Sequence, residues 1–237
     1  MPINEYNQII ADDLPTWTPR DHVENVTLKG KFCTLEPLDM EVHGQDLYDA
    51  YETVGDDRMW TYFPVGPFPT IDSYVCDWVA LLEGKRDVHF AIVDNTTHKA
   101  VGQFALRRCF AEHGTVEEGY VAFSPLLQKT KMATEAHYLL ANYVLSTLGY
   151  RRLEWQCVDL NMPSHNAAVR LGFKCEGTLR QNMVFRGKTR DTTWLSLIDK
   201  DWPVCQRAFE LWLADDNFDA DGRQKASLAT IREGLTT

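Results

Sequence analysis

The chain has 237 residues, 24 Lys+Arg against 34 Asp+Glu, and a formal net charge of −10. Length over ~150 residues per domain predicts one to two domains, and a chain of this size buries a core without staples or a structural metal. The acidic balance argues against a nucleic-acid partner, because such binding rests on neutralising phosphates with Lys and Arg. It leaves room for one small anion on a local basic loop, and it favours a cationic substrate weakly.

No stretch approaches the ~20 apolar residues of a membrane span. The first fifteen residues carry acids and no apolar run, unlike a secretory leader. The six cysteines are scattered and form no CxxC. Neither a metal site nor a disulfide framework is expected, and a cytoplasmic, reducing location fits. HExxH, GxSxG, Walker A and GxGxxG are absent.

Residues 1–25 hold Pro15, Trp17 and Pro19 without a clear period, and read as an arm that wraps the domain or is partly disordered. A strand follows near Phe32–Leu35. Residues 38–54 read as a helix, with Leu47, Tyr48, Ala50 and Tyr51 near one face. Residues 60–70 (WTYFPVGPFPT) form a loop too apolar to be solvated, either packed on the core or walling a substrate pocket. Ser73–Leu82 reads as a second helix. His89–Val93 and Val101–Arg107, joined by the polar run Asp94–Lys99, predict a hairpin. Glu117–Phe123 is a further strand.

The clearest helix covers Ala133–Leu148, with Met132, Ala136, Leu140, Val144 and Leu148 at i+4 spacing and Gly149 placed as a C-terminal cap. Leu153–Val158 alternates as a strand. Ser164–Leu171 is a short helix closed by Gly172. Phe173–Leu179, Asn182–Phe185 and Thr192–Ile198 complete the β section, and the tail from Trp202 is helical. The whole reads as one α+β domain with extensions at both ends.

The chemistry concentrates in EEGYVAFSPLLQKTKMATEA, residues 117–136. A strand ends, a polar loop of Gln128, Lys129, Thr130 and Lys131 follows, and a long helix starts. A helix N-terminus offers unpaired N–H groups and positive dipole, so it suits an anion such as phosphate.

This segment resembles the acyl-CoA signature Gln/Arg-x-x-Gly-x-Gly/Ala of the GNAT superfamily of N-acetyltransferases, through Gln128 and Ala133. Thr134-Glu135-Ala136, Glu117-x-Gly119-Tyr120, Asn161-Met-Pro-Ser164, Leu171-Gly172-Phe173, Glu176-Gly177-Thr178 and Arg180 are similar to elements of its RimJ/RimL-like branch, in order and across residues 30–202. The resemblance implies a mixed, mostly antiparallel sheet with helices on both faces and a splayed central strand pair. It implies acetyl-CoA as co-substrate, without a metal, held by backbone N–H groups of Gln128, Lys129, Thr130, Lys131, Met132, Ala133 and Thr134. Phe123 would pair with the pantetheine arm, Asn161 would contact the cofactor from the other side, and Arg170 is a candidate for the nucleotide phosphates. Lys131 stands where the family has its first loop glycine, a position where glycine permits close backbone approach.

N-acetylation needs a deprotonated amine and donors for the tetrahedral oxyanion. The resemblance makes Ser164 a candidate acid at the CoA sulfur. The residue alone reads equally well as a helix N-cap after Pro163. Met183 falls where the ribosomal-protein branch has its glutamate base, and Ala168 where some relatives have a tyrosine acid. Glu154 and Glu117 are then the candidate bases, with Glu118 and Asp191 behind them. His137 and His165 read as surface residues.

The resulting expectation is residues 26–202 as the transferase domain, 1–25 as an arm and 203–237 as a helical extension. It acts on a small-molecule primary amine by direct transfer in a ternary complex, as a monomer or homodimer, with no nucleic-acid or membrane partner. The rivals are acetylation of peptide or protein N-termini, which needs an open groove between the 60–70 loop and the last hairpin, and a non-catalytic acyl-CoA-binding module.

Overall fold

In the computed structural model the strands join into one eight-stranded sheet, in the order β1-β2-β3-β4-β5-β6-β8-β7. The structure describes residues 2–53 and 56–236. Met1, Val54, Gly55 and Thr237 fall outside them, and with them the first residue of the arm, the last of the 38–54 helix and the last of the extension. The strands are β1 Leu28–Lys29, β2 Cys33–Pro37, β3 Val88–Asp94, β4 Ala100–Phe110, β5 Thr115–Phe123, β6 Arg152–Val158, β7 Lys174–Phe185 and β8 Lys188–Ile198. The helices are α1 Met40–Glu52, α2 Ile71–Leu82, α3 Lys131–Asn142, α4 Met162–Leu171, α5 Trp202–Leu213 and α6 Leu228–Gly234. Every strand pair is antiparallel except β5–β6.

Apolar side chains fill both faces of the sheet. On one, Phe90, Phe104, Leu106, Val116 and Leu153 pack with Leu140 of α3, Ala168 of α4 and Phe209 of α5. On the other, Ala91 and Ala122 meet Leu47 and Tyr51 of α1 and Tyr74 and Trp78 of α2. Burying a side chain of Leu or Phe size contributes about 1.5–3 kcal/mol, so helices on both faces of a mixed sheet are the stable solution for this pattern.

The 60–70 loop belongs to the second core. Trp60 meets Tyr51, Phe63 and Phe68 edge-on, and both Trp60 and Phe68 are buried. The arm wraps the sheet's end. Arg20 donates its N–H to the Ala111 carbonyl and its Nε to the Gly149 carbonyl, both at 3.0 Å. Trp17 lies so close over Gly114 that a Cβ there would stand 2.4 Å from its ring.

The helix expected to run to Leu148 changes character at Asn142. Tyr143–Thr147 forms a π turn, whose wider circumference sends three consecutive residues, Tyr143, Val144 and Leu145, into the interior. The two strand segments read at Phe173–Leu179 and Asn182–Phe185 are one strand. A bulge with Gln181 at φ 51° joins them, and Asp191 accepts the Gln181 N–H at 2.7 Å.

Candidate active site

The parallel pairing of β5 and β6 covers only Thr115–Glu118 against Arg152–Trp155. Beyond it the strands part, because β5 carries a bulge. Gly119 to Ala122 of β5 spans only Ala105 to Gln103 of β4, with Tyr120 at φ 51°. A bulge bends and twists its strand, and here it turns Val121–Phe123 away from β6. The backbone edges so exposed need partners, which an extended amide-bearing ligand arm can supply.

At the mouth of this opening the chain turns through Ser124–Thr130 into α3. Leu127 is fully buried and fits against Gly102, where a Cβ would stand 2.5 Å from its Cδ2. Lys129 takes the left-handed conformation at φ 62°. Thr130 caps the helix, its Oγ1 accepting the Ala133 N–H at 3.1 Å. The Gln128 N–H goes to the Ser124 carbonyl and its Nε2 to the Phe123 carbonyl at 2.7 Å. Of the expected N–H cradle, Gln128, Thr130 and Ala133 therefore spend their donors inside the loop. The N–H groups of Lys131 and Met132, in the first turn, have no carbonyl four residues back. Thr134 is buried, and its hydroxyl accepts from Arg170 Nη2 at 3.1 Å. Arg170, an exposed residue, thus sets its guanidinium against the first turn of α3.

Lys131 keeps a negative φ as the first residue of α3, so the backbone here does not call for a glycine. Its ammonium lies 3.5 Å from the Phe218 ring centroid, against the C-terminal extension. Lys31 pairs with Asp215 beside it at 2.6 Å. The first-turn N–H groups, the helix dipole and the Lys131 ammonium fit a polyphosphate, while Lys31 is already paired with Asp215.

Across the opening, α4 carries the other candidates. Asn161, not Ser164, caps the helix; its Oδ1 accepts the Ser164 N–H at 3.3 Å. Pro163 in the first turn is consistent with a cap one or two residues earlier. Ser164 is freed from that role. Its Oγ accepts from Trp155 Nε1 at 3.0 Å, which leaves the hydroxyl proton to donate.

Glu117 and Glu154 are register partners on the α1/α2 side of the sheet. Glu117 is 3% exposed, with Arg108 Nε at 2.8 Å and Arg107 Nε at 3.7 Å. Burial raises its pKa above the usual carboxylate range, outweighing the two guanidiniums, and Glu154 and Asp87 push the same way. Glu154 is held by Arg152 Nε at 2.7 Å, with Arg108 Nη2 at 3.6 Å. Arg152 also grips Glu176 with both terminal nitrogens at 2.6 Å. That bond above all holds the Glu176 carboxyl down at about 2.

Sequence reasoning missed two features. His137 is buried, correcting the surface reading, and it bonds Glu118 through Nδ1. Its ring lies 5.0 Å from Phe123 and 5.6 Å from Trp155, bridging the splayed strands. The other is the Arg107–Arg108 pair, whose dipeptide looks like ordinary solvated charge. Only the fold sets it against Glu117. His165 is half-buried at the start of α4.

A sheet opened between two parallel strands, with an anion-binding helix start at its mouth and buried carboxylates on the far side, is the layout of an acyl-CoA-dependent transferase. Residues 34–174, more than half of the chain, match the family model of the acetyltransferase (GNAT) domain, and the chain belongs to that family. It is an N-acetyltransferase, in a family that uses acetyl-CoA as co-substrate. It is similar to a GCN5-related N-acetyltransferase from Brucella melitensis, at 37% identity over 93% of this chain and all of that one, with a TM-score of 0.89. A probable GNAT-family acetyltransferase from Chromobacterium violaceum ATCC 12472 is 35% identical over 83% of this chain and 98% of that one, with a TM-score of 0.75. Among curated proteins, the uncharacterised N-acetyltransferase YnaD of Bacillus subtilis (strain 168) is 24% identical, covering 71% of this chain and 97% of its own. Among the described residues no helix is long and apolar enough to cross a membrane.

Proposed function

We propose that the acceptor is a small-molecule primary amine, acetylated by direct attack in a ternary complex without an acyl-enzyme. The observation that carries this reading is the bridge from Arg186 Nη2 in the β7–β8 turn to the Gly66 carbonyl, at 2.7 Å. It spans the gap between the 60–70 loop and the last hairpin, where a peptide acceptor needs an open groove. Tyr62, donating to the Leu160 carbonyl at 3.3 Å, narrows the same side.

Acetyl-CoA supplies an activated acyl group as a thioester. Lys129, Lys131 and the first N–H groups of α3 hold its phosphates, with Arg170 and Asn161 at the flanks. Phe123 borders the pantetheine arm. Glu117 takes the proton from the ammonium, for which its raised pKa suits it, and Glu154 shares its charged surroundings. The C–N bond forms and the C–S bond breaks; Ser164 gives its hydroxyl proton to the departing thiolate and is restored by the second proton that the new amide nitrogen sheds. Residues 26–202 carry this chemistry, with 1–25 as an arm and 203–237 as an extension. A RimJ/RimL-like affiliation fits the motif series, and six scattered cysteines without a CxxC suit a reducing cytoplasm.

The test is a panel of small amines and peptides followed by CoA-thiol release with purified protein. Turnover of small primary amines, with peptides poorer by at least about tenfold, is expected. Peptides turned over faster than every small amine would overturn the reading.

A further inference from the structure

A cavity of ≈ 510 Å³ opens between the α2–β3 loop, the arm and the end of β4, and two of its lining residues, Arg107 and Arg108, reach Glu117. Lys85, Arg86, Arg107, Arg108 and His22 line it, against a single carboxylate, Asp87. In a chain of net charge −10 this is a local reversal of sign. Arg107 and Arg108 are half-buried and held on aromatic rings, while Lys85 and Arg86 are exposed. Lys85 Nζ lies 3.3 Å from the Tyr120 hydroxyl, and the Arg107 guanidinium stacks 4.2 Å over the same ring. Arg108 lies 4.9 Å over Trp194.

The cations at this cavity outnumber the carboxylates they meet. Arg107 and Arg108 both lean on Glu117, Arg108 also reaches Glu154 at 3.6 Å, and Glu154 is committed first to Arg152. Arg107 Nε and Arg108 Nη2 make only long ion pairs, at 3.7 Å to Glu117 and 3.6 Å to Glu154, and none of these contacts is a hydrogen bond. The His89 ring, stacked on Tyr120, is pushed down to about 4 by burial and then by Lys85 and Arg107, so it adds no positive charge at neutral pH and registers the field around it. Such a surplus of cations favours an oxyanion, which a guanidinium grips through paired N–H bonds.

We propose that this cavity holds an oxyanion carried by the acceptor itself, so that the substrate is a small amine bearing a carboxylate or a phosphate. The proposal rests on the small-amine reading above. An acid seated between Lys85, Arg86 and Arg107 places the amine of the same molecule toward Glu117. That carboxylate lies one residue before the last β5–β6 register pair, at the foot of the splay. The cavity's charge selects the acid and Glu117 accepts the amine's proton.

Thiol release is measured for β-alanine, its neutral amide, O-phosphoethanolamine and ethanolamine, and for similar acid–neutral pairs with bulkier skeletons. Acid-bearing members exceed their neutral partners in kcat/KM by about tenfold or more, the size of one charge-assisted bond. The carboxylate and phosphate arms identify which acid is taken. In Lys85→Gln/Arg86→Gln the acid-to-neutral ratio falls below about threefold through KM for the acid, while calorimetric CoA affinity stays unchanged. Equal or better turnover of neutral partners overturns the proposal and leaves the small-amine reading standing. If no amine releases thiol although CoA binds, the small-amine reading fails. Thermal stabilisation of the CoA complex by the acids but not their neutral partners, lost in the double variant, then upholds the cavity's role, and its absence refutes it.

Discussion

Glu135 joins the start of the candidate site to the edge of the sheet. It sits on α3, 5% exposed, and accepts three backbone N–H bonds, from Lys31 at 2.8 Å, Phe32 at 2.7 Å and Cys33 at 2.9 Å. Gly30 leaves it room: a Cβ there would stand 2.5 Å from Oε2. Each bond to a charged acceptor contributes about 1.5–3 kcal/mol, but the three do not sum. Lys31 is exposed and Phe32 half-buried, so both regain water when the carboxylate is removed, while Cys33 is fully buried and its N–H is orphaned. Relief of the carboxylate's own desolvation offsets part of the rest. Glu135→Ala should therefore cost about 3 kcal/mol. Glu135→Gln, which keeps one oxygen, should cost about half as much. With a urea m-value of about 2–3 kcal/mol/M, the Ala midpoint falls by about 1–1.5 M at unchanged m. A shift below about 0.3 M would refute the view that this side chain pins the β1–β2 hairpin to α3.

Ser164→Ala should lower kcat by about tenfold to a hundredfold, less than a general acid's usual range because a thiolate leaves readily, with KM for acetyl-CoA unchanged. A loss below threefold in steady-state rates would remove Ser164 as the acid. Lys131→Ala should weaken CoA binding about tenfold by calorimetry. A change below twofold would leave the side chain only its contact with Phe218. Glu176, held at about 2 chiefly by Arg152, has a lowered carboxyl. Its contribution is present above the ordinary carboxylate pKa and fades as pH falls toward 2. The gap in urea midpoint between wild type and Glu176→Gln should narrow steadily from pH 6 to pH 3, and a constant gap would contradict the pairing.

Much of this site was legible because it is local. The strand end at Phe123, the polar loop and the helix start occupy one run of sequence, and Thr130 before an apolar period marks an N-cap. The composition of the aromatic 60–70 segment marks it as unsolvated and leaves core and pocket wall open; the burial of Trp60 and Phe68 puts it in the core. What was hidden depends on distant pairings. Glu118 and His137 stand on a strand and a helix, and no periodicity says that they face each other. The opening of the sheet hangs on the Tyr120 bulge, where the strict alternation used to assign faces breaks down. Asn161 and Ser164 are both acceptable caps by residue type, and only the register of Pro163 in the first turn decides between them. The π turn at Tyr143 leaves the i+4 pattern almost intact, so the sequence reads as uninterrupted helix.

The most direct test is the pH dependence of kcat/KM for the best small amine, in wild type and Glu117→Gln. Arg107, Arg108, Glu154 and Asp87 surround the Glu117 carboxyl, and burial prevails over the guanidiniums to raise its pKa. As the base it must be ionised, so activity should rise with pH through an acid limb lying above the ordinary carboxylate range. Glu117→Gln should abolish that limb and lower kcat/KM by about 10²–10⁴ at its plateau. An unchanged limb, with a loss under tenfold, would contradict the placement of the proton acceptor at the foot of the β5–β6 splay.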